Sequence, residues 1–174
     1  MDRTMPAPTL FDEARGGSDV FLHLQCKRAG KIKGEATSPG HVDDIVVKGW
    51  AWGLAASSAI GSTQATARRS WKALTLTKGV DRASTPLMSA LVANDEIKEA
   101  RFSLRRAGGT QGDYYVIVLQ RGRIASLDQT VDAAGTAVET ISIVFNKIDV
   151  EYRQQQNVGD AGATSSFADE IFTT

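Results

Sequence analysis

From Val20 the apolar residues Val20, Leu22 and Leu24 alternate with Phe21, His23 and Gln25, the two-residue period of a strand with at least one covered face. Asp44 to Leu54 is the next extended run, rich in Ile45, Val46, Val47, Trp50 and Trp52. Trp50 and Trp52 fall on one face of it, and Ala51 between them points the other way. Trp71 to Thr77 resumes a strand, followed by Glu99 to Arg106, Asp113 to Gln120, Arg123 to Val131 and Val138 to Arg153. In the last run Ile141, Ile143 and Phe145 alternate and then the phase changes to Ile148, Val150 and Tyr152, which predicts a β-bulge near Asn146.

A single helix interrupts this pattern. Thr85 followed by Pro86 reads as its start, with the Thr hydroxyl as cap, and Leu87, Met88, Leu91 and Val92 recur at helical spacing up to Asn94. Ala55 to Ala67 is made almost wholly of Ala, Ser, Thr and Gly and is expected to be an exposed loop, long enough to give an assembly role some weight. Residues 1–18 carry Pro6, Pro8, Gly16 and Gly17 without a sustained period and read as a flexible arm. Residues 19–153 read as one β domain, and 154–174 as a polar tail with a late apolar cluster of Phe167, Ile171 and Phe172. The fold class predicted from pattern alone is mainly β and antiparallel.

Composition narrows the function more than the fold. The 174 residues suit one hydrophobic core, and a hydrophobic share of 42% with a charged share of 23% is that of an ordinary globular protein. No apolar run is long enough for a membrane-spanning helix, so no membrane insertion is expected. Lys plus Arg and Asp plus Glu are 20 each, which argues against a nucleic-acid partner. Cys26 is the single cysteine, which excludes an internal disulfide and fits folding in a reducing cytosol. The first residues lack the continuous apolar core of a secretory signal, so export, if any, is expected to be leaderless.

Candidate chemistry is sparse. His23 and His41 are the only imidazoles; His23 sits within a strand pattern, where a side chain satisfied on the strand surface is the simpler reading. His41 lies beside Asp43 and Asp44 in a Pro/Gly loop, a combination too weak to indicate a metal. The stretch from Gly108 to Gly112 lacks the Gly-Lys-Ser/Thr ending of a phosphate loop. Arg68 and Arg69, or Arg101, Arg105 and Arg106, stand among carboxylates and read as solvated or interface charge. Lys27 and Arg28 follow Cys26, but a buried, idle thiol is preferred to a reactive one. No catalytic, cofactor or metal residues are assigned, and an enzyme is not expected.

Several segments in order resemble the Hcp (haemolysin-coregulated protein) family of type VI secretion tube proteins. Ile32-Lys33-Gly34-Glu35, followed by His41 and Ile45, looks like the family's Ile-x-Gly-Glu-Ser opening, with Ala36 in place of serine. Trp50-Ala51-Trp52-Gly53 is similar to its tryptophan-bearing strand. Thr77-Lys78-Gly79-Val80-Asp81 with Ser84-Thr85-Pro86 resembles the Thr-Lys-x-x-Asp and Ser-Thr-Pro segment before its helix. The strand ending Arg105-Arg106-Ala107-Gly108-Gly109, the Tyr114 to Leu119 strand and the Phe145 to Tyr152 strand also look like family counterparts. The arm 1–18 and the end at 167–174 depart from the family pattern.

The resemblance implies an antiparallel β-barrel of two packed sheets with one short flanking α-helix, six copies forming a ring, and rings stacking into a hollow tube. Its implied partners are further copies of the chain, a spike protein, a contractile sheath and effector proteins in the lumen. It implies folding in the bacterial cytoplasm and ejection through the type VI apparatus. Within the small-residue loop, Ser57, Ser58, Ile60, Gly61, Ser62, Thr63, Gln64 and Thr66 are the candidates for ring-to-ring contact, and Ala51 for the lumen wall that meets effectors. A small-molecule-binding β-barrel with the tryptophans in a private pocket, and a phage-type tail-tube subunit, are the alternatives.

Overall fold

The computed structural model describes residues 17–57, 68–106, 112–154 and 162–171. Two antiparallel sheets enclose the core. The larger has seven strands: β1 (Ser18–Cys26), β2 (Gly30–Ile32), β3 (Ile45–Val47), β8 (Ile97–Arg106), β9 (Tyr115–Gln120), β12 (Lys147–Arg153) and β13 (Thr164–Glu170), in the order β13-β12-β9-β8-β1-β2, with β3 also paired to β1. The smaller has four, β4 (Gly49–Ala51), β7 (Leu74–Gly79), β10 (Arg123–Val131) and β11 (Ala137–Val144), in the order β10-β11-β7-β4. β5 (Leu54–Ser57) and β6 (Arg68–Trp71) pair only with each other. The one helix among the described residues, α1 (Ser84–Val92), flanks the smaller sheet.

The alternation read from the sequence is what builds the core. Leu22, Leu24 and Cys26 from β1, Ala100 and Phe102 from β8, and Ile117 and Leu119 from β9 face Leu74 and Leu76 from β7 and Ile141 and Ile143 from β11. All are buried, and Leu87 and Ala90 of α1 pack onto them. Trp50, Trp52 and Trp71 are half-buried against the same cluster, so the tryptophans serve the core.

Several expectations are corrected. The predicted strand from Asp44 to Leu54 is three short ones, because after Val47 the chain leaves the larger sheet and enters the smaller at Gly49, then turns out into the β5–β6 hairpin. The phase change near Asn146 has the same cause: β11 ends in the smaller sheet at Val144 and β12 begins in the larger at Lys147, so the two halves of the run belong to different sheets and no bulge is involved. Across this crossing the inward positions pass from Ile141, Ile143 and Phe145 to Ile148 and Val150. The small-residue segment begins as strand, with Ala55, Ala56 and Ser57 in β5.

The helix starts two residues earlier than predicted and is not capped by Thr85. Ala83 occupies the capping position without a side-chain bond, and the turn before it is closed instead by Asp81, whose Oδ1 accepts from the Ala83 amide at 2.9 Å. Asn94, just past the helix, has φ +50°, a left-handed conformation that asparagine tolerates better than most residues. Part of the segment read as a polar tail is ordered into β13, paired with β12 from Lys147↔Glu170 to Arg153↔Thr164. The arm at 1–16 lies outside the described residues.

Candidate functional site

Sequence reading singled out a loop, a strand position and two histidines, and the structure treats them differently. Ser57 lies on β5, whose four residues are all exposed. Ser58, Ile60, Gly61, Ser62, Thr63, Gln64 and Thr66 lie outside the described residues. The β5–β6 hairpin carries no ladder to either main sheet and is held at its base by side chains. Trp71 stacks on Trp52 at 5.7 Å and meets Phe145 and Phe167 at 6.1 Å each. Arg69 pairs with Asp169 of β13 at 3.1 Å.

Ala51 is exposed at the end of β4, in cross-strand register with Thr75, Ser142 and Ser126. The neighbouring row runs Gly49, Thr77, Thr140, Asp128. The outward face of the smaller sheet is therefore small and hydroxyl-bearing here, with Asp128 as the one charge in the two rows. Thr75 and Ser142 bond to each other across it at 3.1 Å. The outward face of the larger sheet differs, carrying His23, Glu99, Arg101, Arg105, Lys147 and Asp149.

His41 belongs to the segment that links β2 to β3 across the outside of β1, and His23 lies on β1 itself. His41 stacks on Phe21 at 4.3 Å and is nearly fully buried. Its Nδ1 faces Asp44 Oδ2 at 3.0 Å, and its Nε2 faces Asp113 Oδ1 at 2.9 Å, where Arg105 Nε also arrives at 3.1 Å. His23 Nδ1 and Lys31 Nζ meet the other oxygen of Asp44, at 3.1 Å and 2.9 Å. Burial alone would raise the Asp44 carboxyl, but hydrogen bonds from Lys31, His41 and His23 outweigh it and hold the group below the usual carboxylate range. The cluster is a structural clasp; among the described residues no group of three or more His, Cys, Asp or Glu is arranged to hold a metal ion. Gly34 explains the glycine of the opening motif. A Cβ there would lie 2.4 Å from the Asp44 carbonyl oxygen and 2.5 Å from Ile45 Cα, so only glycine lets the segment run this close to β3.

Sequence reading missed the most deeply buried charges. Lys78 and Glu139 are cross-strand partners in β7 and β11, both at 0% exposure, at positions where the alternation of Leu74, Leu76 and of Ile143, Ile141 calls for apolar residues. Lys78 Nζ donates to Glu139 Oε2 at 2.5 Å and to the Gly79 carbonyl at 2.8 Å, and lies 2.7 Å from Asp81 Oδ1. Ser84 Oγ donates to Glu139 at 2.9 Å and accepts from the Asp81 amide at 3.0 Å; Gln129 donates to the second Glu139 oxygen at 2.6 Å. One network thus ties β7, β10, β11 and the entry of α1 together. The signal for it was in the sequence, as a charge at a core-phase position on each strand.

Cys26 is buried, and burial, aided by the Asp95 carboxylate, pushes its thiol up to about 11, so it stays protonated and unreactive at neutral pH. No helix among the described residues is long and apolar enough to cross a membrane.

Gly34 and His41 of the clasp and Lys78, Asp81 and Ser84 of the buried network are residues of the motifs noted above, and both groups fall inside a match to the family model described as "Type VI secretion system effector, Hcp", which covers residues 21–152. The chain belongs to the Hcp family. The match spans both sheets from β1 to β12. Among curated relatives, the Pseudomonas aeruginosa "Protein hcp1" is 27% identical over 146 residues, covering 81% of this chain and 86% of that one. The "Major exported protein" of the same organism is 27% identical over 124 residues, covering 66% of this chain and 72% of its own length. The Hcp fold is also that of solved structures. A type six secretion system protein superposes with a TM-score of 0.79 at 23% identity over 88% of this chain and 96% of the other, and Hcp1 from Salmonella typhimurium with 0.70 at 21% over 89% and 95%.

Proposed function

We propose that this Hcp-family protein is a structural subunit of the type VI secretion inner tube: six copies close into a ring, rings stack into a hollow tube, and the tube carries effectors and is ejected when a surrounding sheath contracts. The match to the Hcp family model over residues 21–152 carries this reading. The fold is consistent with it. Among the described residues the seven-stranded sheet ends in β13 on one side and in β2 and β3 on the other, edges that suit head-to-tail association closing around a ring. In this reading the protein folds in the bacterial cytoplasm and leaves through the type VI apparatus, and the spike protein meets the end of the tube.

The β5–β6 hairpin, exposed along Leu54–Ser57 and leading into positions 58–67, makes the contact between stacked rings. Deleting Gly61 to Ala65 is expected to leave ring diameter unchanged while abolishing tubes in negative-stain electron micrographs; tubes that persist would overturn this role. The hydroxyl-bearing face around Ala51 lines the lumen. Ala51→Arg places a cation in a row that carries none, and is expected to lower effector retention in a pull-down without changing ring size. Unchanged retention would move the lumen wall elsewhere.

A further inference from the structure

Among the described residues β5 and β6 form a ladder with each other alone, so the direction in which the hairpin projects is set by side chains, and two of those contacts come from the same strand, β13. We infer that β13 is the buttress of the stacking hairpin, with Phe167 and Asp169 as positioning residues, so that growth of the tube depends on a strand that makes no ring-to-ring contact itself. The inference rests on the proposed role of the hairpin in stacking.

Phe167 and Asp169 are two apart on β13 and point to one side of it, as strand periodicity requires. Arg69 and Trp71 are likewise two apart on β6. The two pairs interlock: Phe167 lies against Trp71, with ring centroids 6.1 Å apart, and Asp169 Oδ1 receives Arg69 Nη2 at 3.1 Å. Trp52 and Phe145 also hold Trp71 at the base, and a ribbon held only at its base is free to swing. Two contacts, one apolar near the base and one ionic a residue pair further out, fix an axis and a direction. β13 is in turn anchored through its full length on β12, and Ile171 beyond it packs against the core, so the buttress is attached to the main sheet.

Energetics place the device at the low-stability end of the molecule. Arg69 is 62% exposed while Asp169 is 16% exposed, so the ion pair is worth little for global folding. A two-stranded ribbon is marginal without outside support, however, and small differences in its orientation are repeated in every copy of a ring. Changes confined to the side chains of Phe167 and Asp169 keep the β13 backbone edge, so ring mass by light scattering is expected to stay that of the native chain while stacking weakens. Loss of the ring in these variants would overturn the buttress.

The test uses the full chain with Asp169→Arg, Arg69→Asp, the double exchange, and Phe167→Ala. Hydrogen exchange of the β5 and β6 amides is expected to rise about fivefold in each single variant, with the amides of β1, β8 and β9 unchanged, because only a local opening is eased. The concentration needed for tubes to sediment is expected to rise about tenfold, and the double exchange should restore both values by re-forming the pair with its charges reversed. Deletion of Gly61 to Ala65 runs alongside as a separate test of the hairpin's stacking role. If the deletion abolishes tubes while Asp169→Arg leaves exchange and tube formation at their original values, the buttress is refuted and the stacking reading stands. If the deletion leaves tubes in place, the stacking reading falls and the inference with it. A double exchange that fails to recover either value also overturns the pairing.

Discussion

Glu139→Ala is expected to lower folding stability by about 3 kcal/mol, because it removes the fully buried counter-charge of Lys78 and leaves that ammonium to Asp81 and neutral acceptors alone. Lys78 would remain at the core-facing side of β7 with Asp81, the Gly79 carbonyl and Ser84 as its only neighbouring acceptors, and Gln129 and Ser84 would lose the oxygens they bond. The network also holds the entry of α1, so the loss reaches the turn at Asp81 and the packing of Leu87. Denaturant unfolding followed by tryptophan fluorescence measures it. Exchanging both charges for apolar residues, Lys78→Met with Glu139→Leu, should recover much of the loss, since no unpaired charge is then buried.

The same carboxylate adds a pH dependence. Burial alone would raise Glu139, but hydrogen bonds from Lys78, Gln129 and Ser84 outweigh it and hold the group below its ordinary value. A carboxyl that is depressed in the folded state contributes stability that is complete above its unfolded value of about 4.3 and is lost as pH falls through its folded value. Stability of the native chain should therefore fall with pH below about 4.5 more steeply than that of Glu139→Gln.

Gly34→Ala is the second large effect, with an expected cost of about 3 kcal/mol. The obstacle is backbone: the added methyl would meet the Asp44 carbonyl oxygen at 2.4 Å, and neither Asp44 nor Ile45 can retreat without disturbing the pairing of β3 with β1. The Gly34 amide donates to the Asp43 carbonyl at 2.9 Å, so the segment cannot move outward without losing that bond. Displacement of the clasp would also separate His41 from Phe21 and from Asp113. Equilibrium unfolding gives the magnitude, and the histidine ring signals in an NMR spectrum report the loss of stacking. Gly17→Ala, where an added Cβ meets nothing within 4 Å, is the control and should change stability little.

These two sites show where sequence reading reached and where it stopped. Alternation located β1 and the core half of β11, whose buried faces leave a two-residue period, and runs of strand-forming residues located β8, β9 and β10. It failed where the chain changes sheets, at Lys48 and again between Val144 and Lys147, because a crossover and a bulge both appear as a shift of phase and only the pairing partners separate them. β13 was read as tail because Thr164, Ser165 and Ser166 carry little apolar area; its support comes from pairing with β12 and from Trp71, both distant in sequence. Gly34 and Lys78 were legible as motif letters but not as physics. The reason for each lies in a neighbour, the Asp44 backbone for one and Glu139 for the other, that is placed only by the fold. The hydroxyl-bearing face around Ala51 was legible in part: the strand phase gave its direction, and the register of β7 and β11 supplied the rest of the surface.

The solution mass of the purified protein, measured by light scattering coupled to size exclusion, tests the proposed role most directly. A mass near six times the 18.6 kDa of the chain is the predicted result. A stable monomer at micromolar concentration would contradict a ring that forms from this chain alone.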